Sequence, residues 1–205
     1  MPNILTVNVG EPIRAARMNE VIADVNRIGR MAVIPTSVAG AGVTFSATTG
    51  LVTLSAATTA NINGCFTNVY GSYEIEYRLA TSASIGLDVL LRDAGVNAIT
   101  NYDNQRFTNI SATLAGVRSA AGTAFQIDTI SLIGVHAGTA RLVDPFVAVQ
   151  TLLFTDYLAF DATFTVASGE GRTNGRHRNN NAYDGFNMSP PSGNITGTMK
   201  IYGLT

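Results

Sequence analysis

The sequence predicts an all-β chain, an antiparallel β-sandwich preceded by one short N-terminal α-helix. Three observations predict it. After Pro35 most stretches alternate apolar and polar residues with a period of two, clusters of Gly, Asn, Ser and Thr separate them at fairly even spacing, and a single window near the N-terminus has helical spacing instead. No alternation of strand and helix patterns appears, so a parallel sheet is not expected, and there is no internal repeat of fixed period.

The helix is predicted over residues 11–30. Glu11-Pro12 opens it, proline being tolerated in a first turn, and Gly29 ends the pattern. Met18, Val21, Val25 and Ile28 follow 3-4-3 spacing and form one stripe, with Arg17, Glu20, Asp24 and Arg27 outside it. A helix this short is marginal alone in water, so the stripe must pack on something. It can dock on the chain's own sheet, or it can join copies of the chain as a short coiled coil. With Met18 and Val25 at position a, Val21 and Ile28 take position d, where branched side chains disfavour a parallel dimer and favour three or more strands.

The strands follow. In Gly71–Ala80, Tyr73, Ile75, Tyr77 and Leu79 share one face and Glu74, Glu76 and Arg78 the other. In Tyr157–Val166, Leu158, Phe160, Ala162, Phe164 and Val166 are expected to face inward, alternating with Tyr157, Asp161, Thr163 and Thr165. In Asn194–Tyr202 the inward set is Ile195, Met199 and Ile201. Ile85, Leu87, Val89 and Leu91 make a further strand. Val43 with Phe45 and Val52 with Leu54 make a pair joined at Thr49-Gly50. The phase of Phe125–Ile133 slips at Thr129–Ile130, which predicts a bulge or bend. Leu142–Phe154 is apolar on both faces around Pro145, as in a strand pair at a sheet edge or a subunit contact. Eight or so strands with turn-rich joints predict a jelly-roll-like sandwich over residues 35–205, with residues 1–34 as an arm and anchoring helix.

Composition narrows the function. Of 205 residues 46% are apolar, enough for a sizeable core, and only 13% are charged, about half the usual quarter. Much of the exterior is therefore Thr, Ser, Asn, Gly and Ala, or lies against other subunits. The net charge of −1 gives the whole molecule no electrostatic reason to seek nucleic acid or anionic membranes. No run approaches the roughly 18 apolar residues of a membrane span, and no secretory signal is read at the N-terminus. Cys65 is the single cysteine, so no internal disulfide or cysteine metal cluster forms, and a buried thiol is expected.

Catalytic patterns are sparse. Glu74 and Glu76 lie about 7 Å apart on one strand face, a spacing that would suit an inverting glycosidase, but alternate carboxylates on an outward face are ordinary solvated residues. No Gly-x-Ser-x-Gly elbow surrounds a serine, and His136 sits in an apolar strand end where packing or hydrogen bonding is expected of it. The two histidines lack a zinc spacing, no Asp-x-Asp-x-Asp loop supports calcium, and phosphate-cradling motifs are absent. No catalytic residue, metal or cofactor is assigned.

One stretch stands out: Gly171–Phe186, read as a long polar loop. Its Arg172, Arg176, His177, Arg178, Asn179, Asn180 and Tyr183 combine flat donors, amide forks and a stacking ring. Such a set recognises a glycan or protein surface, or it is a long polar hairpin linking two strands, or one paired with acidic groups on a neighbouring subunit. One basic loop on a neutral protein is a small footprint for nucleic acid.

Several short stretches carry a resemblance. Ile34-Pro-Thr-Ser-Val-Ala-Gly-Ala-Gly-Val43 precedes Asn63-Gly-Cys-Phe66; the chain ends Tyr183-Asp-Gly-Phe186, Ser192-Gly-Asn-Ile-Thr-Gly197 and Ile201-Tyr-Gly203; Glu11-Pro-Ile-Arg14 leads to Met18-Asn19. Together they resemble small structural proteins of tailed bacteriophages, minor tail or fibre proteins with a C-terminal jelly roll. The resemblance spans most of residues 11–205 and carries no catalytic motif. It implies a non-enzymatic virion protein, made in the host cytoplasm and assembled into the particle. A trimeric tail fibre or receptor-binding subunit comes first. It would be held to other virion proteins by its N-terminal segment and would touch a host-surface glycan or protein through its loops, with no nucleic acid and no membrane insertion. The alternative is a capsid decoration or head fibre protein bound to the shell, and a carbohydrate-binding module or glycosidase comes third.

Overall fold

The computed structural model describes residues 29–110, 113–161 and 167–204. The expected helix, with Met18, Val21, Val25 and Ile28, lies outside the described residues. Within them the chain is all-β. In order come β1 (Arg30–Val33), β2 (Ser37–Ala39), β3 (Val43–Phe45), β4 (Val52–Ala57), β5 (Ala60–Asn63) and β6 (Ser72–Thr81). Then come β7 (Ile85–Asp93), β8 (Val96–Asn97), β9 (Tyr102–Ile110), β10 (Thr113–Gly122) and β11 (Phe125–Leu132). The last five are β12 (Gly134–Val143), β13 (Thr151–Asp161), β14 (Ala167–His177), β15 (Gly185–Ser189) and β16 (Ile195–Leu204).

Two antiparallel sheets pack as a β-sandwich. The larger runs β10-β9-β14-β13-β12-β6-β16-β4-β3, with β1 added to β16 beside β4, and the smaller runs β11-β7-β15-β5-β2, with β8 added to β7. The core lies between them. Tyr73, Ile75 and Leu79 of β6 and Ile195, Met199 and Ile201 of β16 meet Leu87, Val89 and Leu91 of β7 and Phe186 and Met188 of β15. Those inward faces are the ones the alternation predicts. Cys65 is fully buried, and burial pushes its thiol pKa up, so it is an inert filler of the core. The turn at Gly50 has φ +68, and an added Cβ there would meet the Val33 carbonyl oxygen at 2.5 Å, so this position requires glycine.

Four departures from the sequence reading matter for function. β1 begins at Arg30, which the helix was expected to reach; Arg30↔Leu204 through Val33↔Ile201 pair it with β16, so the end of the expected arm is a strand of the sandwich. The hairpin of β9 and β10 has no clear alternation to announce it, and it extends the large sheet past the edge of the small one. Residues 167–177 form β14 rather than the first half of a loop, so the loop before β15 shrinks to residues 178–184.

The fourth departure is the phase of β13. Thr151, Leu153, Thr155, Tyr157 and Ala159 are buried, while Leu152, Phe154 and Leu158 are exposed, so Leu158 and Tyr157 take the reverse of their expected faces; Ala162, Phe164 and Val166 of that expectation lie outside the described residues. Both faces of β13 are apolar, so alternation could not choose between them. Tyr157 decides the matter: its ring lies against Gly171 of β14, and its hydroxyl is 2.8 Å from that of Thr129 on β11 in the opposite sheet.

Candidate functional site

Register across the large sheet fixes which end each loop occupies. Arg30, Leu204, Ser72, Val143, Leu152, Arg176 and Asp103 lie in one row, so the loops 144–150 and 178–184 sit at the end where the chain enters from residue 29. Tyr183 N–H donates to Pro145 O at 2.8 Å and joins the two loops. The connections 82–84 and 190–194 lie at the opposite end, tied by Ser82 N–H donating to Asn194 O at 3.0 Å.

The seven residues singled out in the sequence do not converge on one ligand. His177 is fully buried, packed on Tyr102 with ring centroids 4.5 Å apart. Its Nε2 lies 3.0 Å from Thr100 O, and its Nδ1 3.0 Å from the Tyr183 hydroxyl. The carbonyl needs a donor, so Nε2 carries the proton and Nδ1 accepts from Tyr183. Burial lowers the His177 pKa, which keeps this neutral form. Tyr183 is itself buried, so neither ring is offered to a partner. Asn179 accepts from Asn101 Nδ2 at 2.9 Å, Arg178 N–H donates to Asn101 O, and Asn180 is exposed.

The arginines are paired within the chain. Arg172 Nε donates to Asp156 Oδ1 at 2.7 Å, and Arg176 Nε donates to Asp103 Oδ2 at 2.8 Å. Arg178 Nε lies 3.4 Å from the other oxygen of Asp103. The Arg176 hydrogen bond, opposed by burial and helped by Ala121 N–H and Arg178, holds the Asp103 carboxyl below its ordinary pKa. The acidic groups that pair with these arginines belong to the same chain, not to a neighbouring subunit.

Arg172 alone of the seven borders the groove described here, about 650 Å3 in volume, on the outer face of the large sheet. Phe107 of β9, Leu114 of β10 and Leu158 of β13 are its apolar walls, with Asp156, Glu170 and Arg172 between them. Phe107 lies over Gly116 of β10, where an added Cβ would touch its ring at 3.6 Å. Sequence reasoning missed Phe107 and Leu114 because their strands lack alternation. The available signal was the two-faced apolarity of Leu142–Phe154.

The carboxylate pair and the histidine weighed as catalytic are both occupied. Arg30 forms ion pairs with both Glu74, at 2.6 Å, and Glu76, and its guanidinium stacks 3.8 Å over the Tyr202 ring. These side chains clasp β1 to the sheet and do not line the groove. His136 Nδ1 meets Asp128 Oδ2 at 2.8 Å with both side chains fully buried. Thr81 beside them donates its proton to Leu132 O at 2.8 Å, so it offers no activated nucleophile. Burial alone would lower the His136 pKa; the hydrogen bond and charge of Asp128, with Leu132 O, outweigh it and raise it. The pair joins β12 of one sheet to β11 of the other.

Among the described residues no group of three His, Cys, Asp or Glu side chains could hold a metal ion, and no helix is long and apolar enough to cross a membrane. No family model matches this chain, and no curated protein is similar to it.

Proposed function

We propose that this chain is a structural component of a tailed-bacteriophage virion: an oligomeric tail fibre or receptor-binding subunit in which a jelly-roll sandwich rides on an N-terminal segment. The wiring of the sandwich is the observation that carries the reading. Counted in chain order, β4, β5, β6, β7, β11, β12, β15 and β16 are eight strands; the first, eighth, third and sixth are neighbours in one sheet, and the second, seventh, fourth and fifth in the other. This is jelly-roll connectivity, an architecture that recurs in viral coat and lectin domains. The hairpins β9–β10 and β13–β14 are insertions that widen the first sheet. The sequence resemblance to phage minor tail and fibre proteins supports the assignment independently of the wiring.

A subunit held at one end meets its surroundings with the other. The Arg30 clasp fixes the incoming chain at the end that also carries loops 144–150 and 178–184. We therefore place host contact at the opposite end, around residues 82–84 and 190–194, and assign Met18, Val21, Val25 and Ile28 to joining copies, three being the favoured number. Arg172, Arg176 and Arg178 then stiffen the large sheet. Gold label on an antibody to the C-terminus tests this in intact particles. Label along the tail or at its tip is expected, label over the head moves the protein to capsid decoration, and absence of the chain from purified particles overturns the reading. Replacing the three arginines with Ser is expected to leave adsorption unchanged; reduced adsorption would return host contact to that stretch.

A further inference from the structure

The outer face of β13, β14, β9 and β10 departs from the rule for an antiparallel sheet, in which one face packs and the other is polar. Outward from β13 point Leu152, Phe154, Asp156, Leu158 and Phe160. Phe154 and Leu158 are 47% and 45% exposed, Phe107 on β9 is 41% exposed, and Leu114 on β10 is 76% exposed. A large apolar face on a soluble chain marks an interface. β10 adds a second open feature. It is the terminal strand of the sheet, ten residues long, exposed over nearly its whole length, with Arg118 as its one charge and no proline or lysine to guard the edge.

From these observations we infer that a second copy of this chain covers the outer face of β13, β14, β9 and β10, with the groove beside Phe107 as its centre. Charge selects the occupant. Arg172 is matched by Asp156 and Arg176 by Asp103, and the remaining Glu170 and Arg118 are of opposite sign, so the face carries charges of both signs in balance and two like copies meet without net repulsion. A net charge of −1 on the whole chain does not oppose association either. An acidic or basic partner would find no field to follow. Leu114, itself one wall of that groove, is 76% exposed, so its outer side is free to meet the groove of a like copy.

The test separates this contact from the N-terminal stripe. In a full-length chain carrying Val21→Asp and Ile28→Asp, light scattering reports association through the sandwich alone. That chain is expected to remain larger than a monomer, and adding Phe154→Asp with Leu158→Asp is expected to reduce it to a folded monomer. A stripe variant that is already monomeric, or a fourfold variant that keeps its mass, overturns the inference. Equal masses for the unaltered chain and the stripe variant would count against the stripe instead. Should the fourfold variant not fold, hydroxyl-radical footprinting of the unaltered chain decides. Phe107 and Phe154 are expected to be protected at micromolar concentration and labelled on dilution. Equal labelling at both concentrations overturns the inference, as does protection that persists in a monomer, where the chain's own N-terminal segment would be the cover.

Discussion

The part of the large sheet made by β6 and β16 differs sharply from the part made by β13, β14, β9 and β10. The first presents Tyr73, Ile75, Leu79, Met199 and Ile201 inward and Glu74, Glu76, Lys200 and Tyr202 outward, so it is satisfied by one opposing sheet and water. The second buries Tyr157 and Ala159 inward yet still shows Phe107, Phe154 and Leu158 outward. β11 covers part of its inner side and reaches across to Tyr157 through Thr129, while β10 is open on both faces. One region is complete as a protomer; the other is shaped for something more. A strand's pattern therefore records which of its faces have something to pack against.

The sharpest way to break the comparison is at the joint between the sheets. Asp128→Asn leaves a buried His136 without its counter-charge and is expected to cost about 3–5 kcal/mol in denaturant unfolding. The same pair predicts a pH dependence. The His136 pKa is raised by folding, so its stabilisation is fully present below about pH 6.5, the unfolded value, and is lost as pH rises through the higher folded pKa. His136→Gln is expected to remove that slope; an unchanged slope would place the titration elsewhere.

Next in size, Leu79→Ala in β6 is expected to cost about 2–5 kcal/mol, because the side chain is fully buried. Leu158→Ala in β13 is expected to cost the dilute protomer under about 1 kcal/mol while weakening association. Equal losses at the two sites would erase the distinction between the regions.

Another substitution works in the opposite direction. Burial, partly opposed by Arg106, raises Asp88 from 3.8 to about 6. Its cost to folding grows as pH climbs from the unfolded value through 6 and is full at neutrality. Asp88→Asn is therefore expected to stabilise the chain at pH 7 by about 1–3 kcal/mol and to do little at pH 3. The smallest effect belongs to Arg172→Ala. Its pair with Asp156 is well exposed on both sides, so less than about 1 kcal/mol is at stake, and salt should shrink it further.

The same division governs what the sequence could tell. Strands packed on one face and wet on the other were legible: the inward sets of β6 and β16 follow from alternation alone, and the slip in Phe125–Ile133 appears as register shifts between Gln126, Asp128 and Leu132. β9 and β10 were not legible, since a strand with little to bury has no reason to alternate. The phase of β13 was misread for a different reason, that both of its faces are apolar. Within Gly171–Phe186 the residue types suggested ligand recognition, but their partners Asp103 and Asp156 are far away in sequence and only the fold brings them near. His177 and Tyr183 looked like surface groups because nothing local shows that both are buried, His177 against Tyr102 and Tyr183 edge-on to His177.

The account is tested most directly by an electron cryomicroscopy structure of the full chain in its solution assembly. It predicts that side chains of another copy lie within about 4.5 Å of Phe107, Phe154 and Leu158, ordinary packing distance. A solitary protomer, or an oligomer in which those three residues face water, would contradict it.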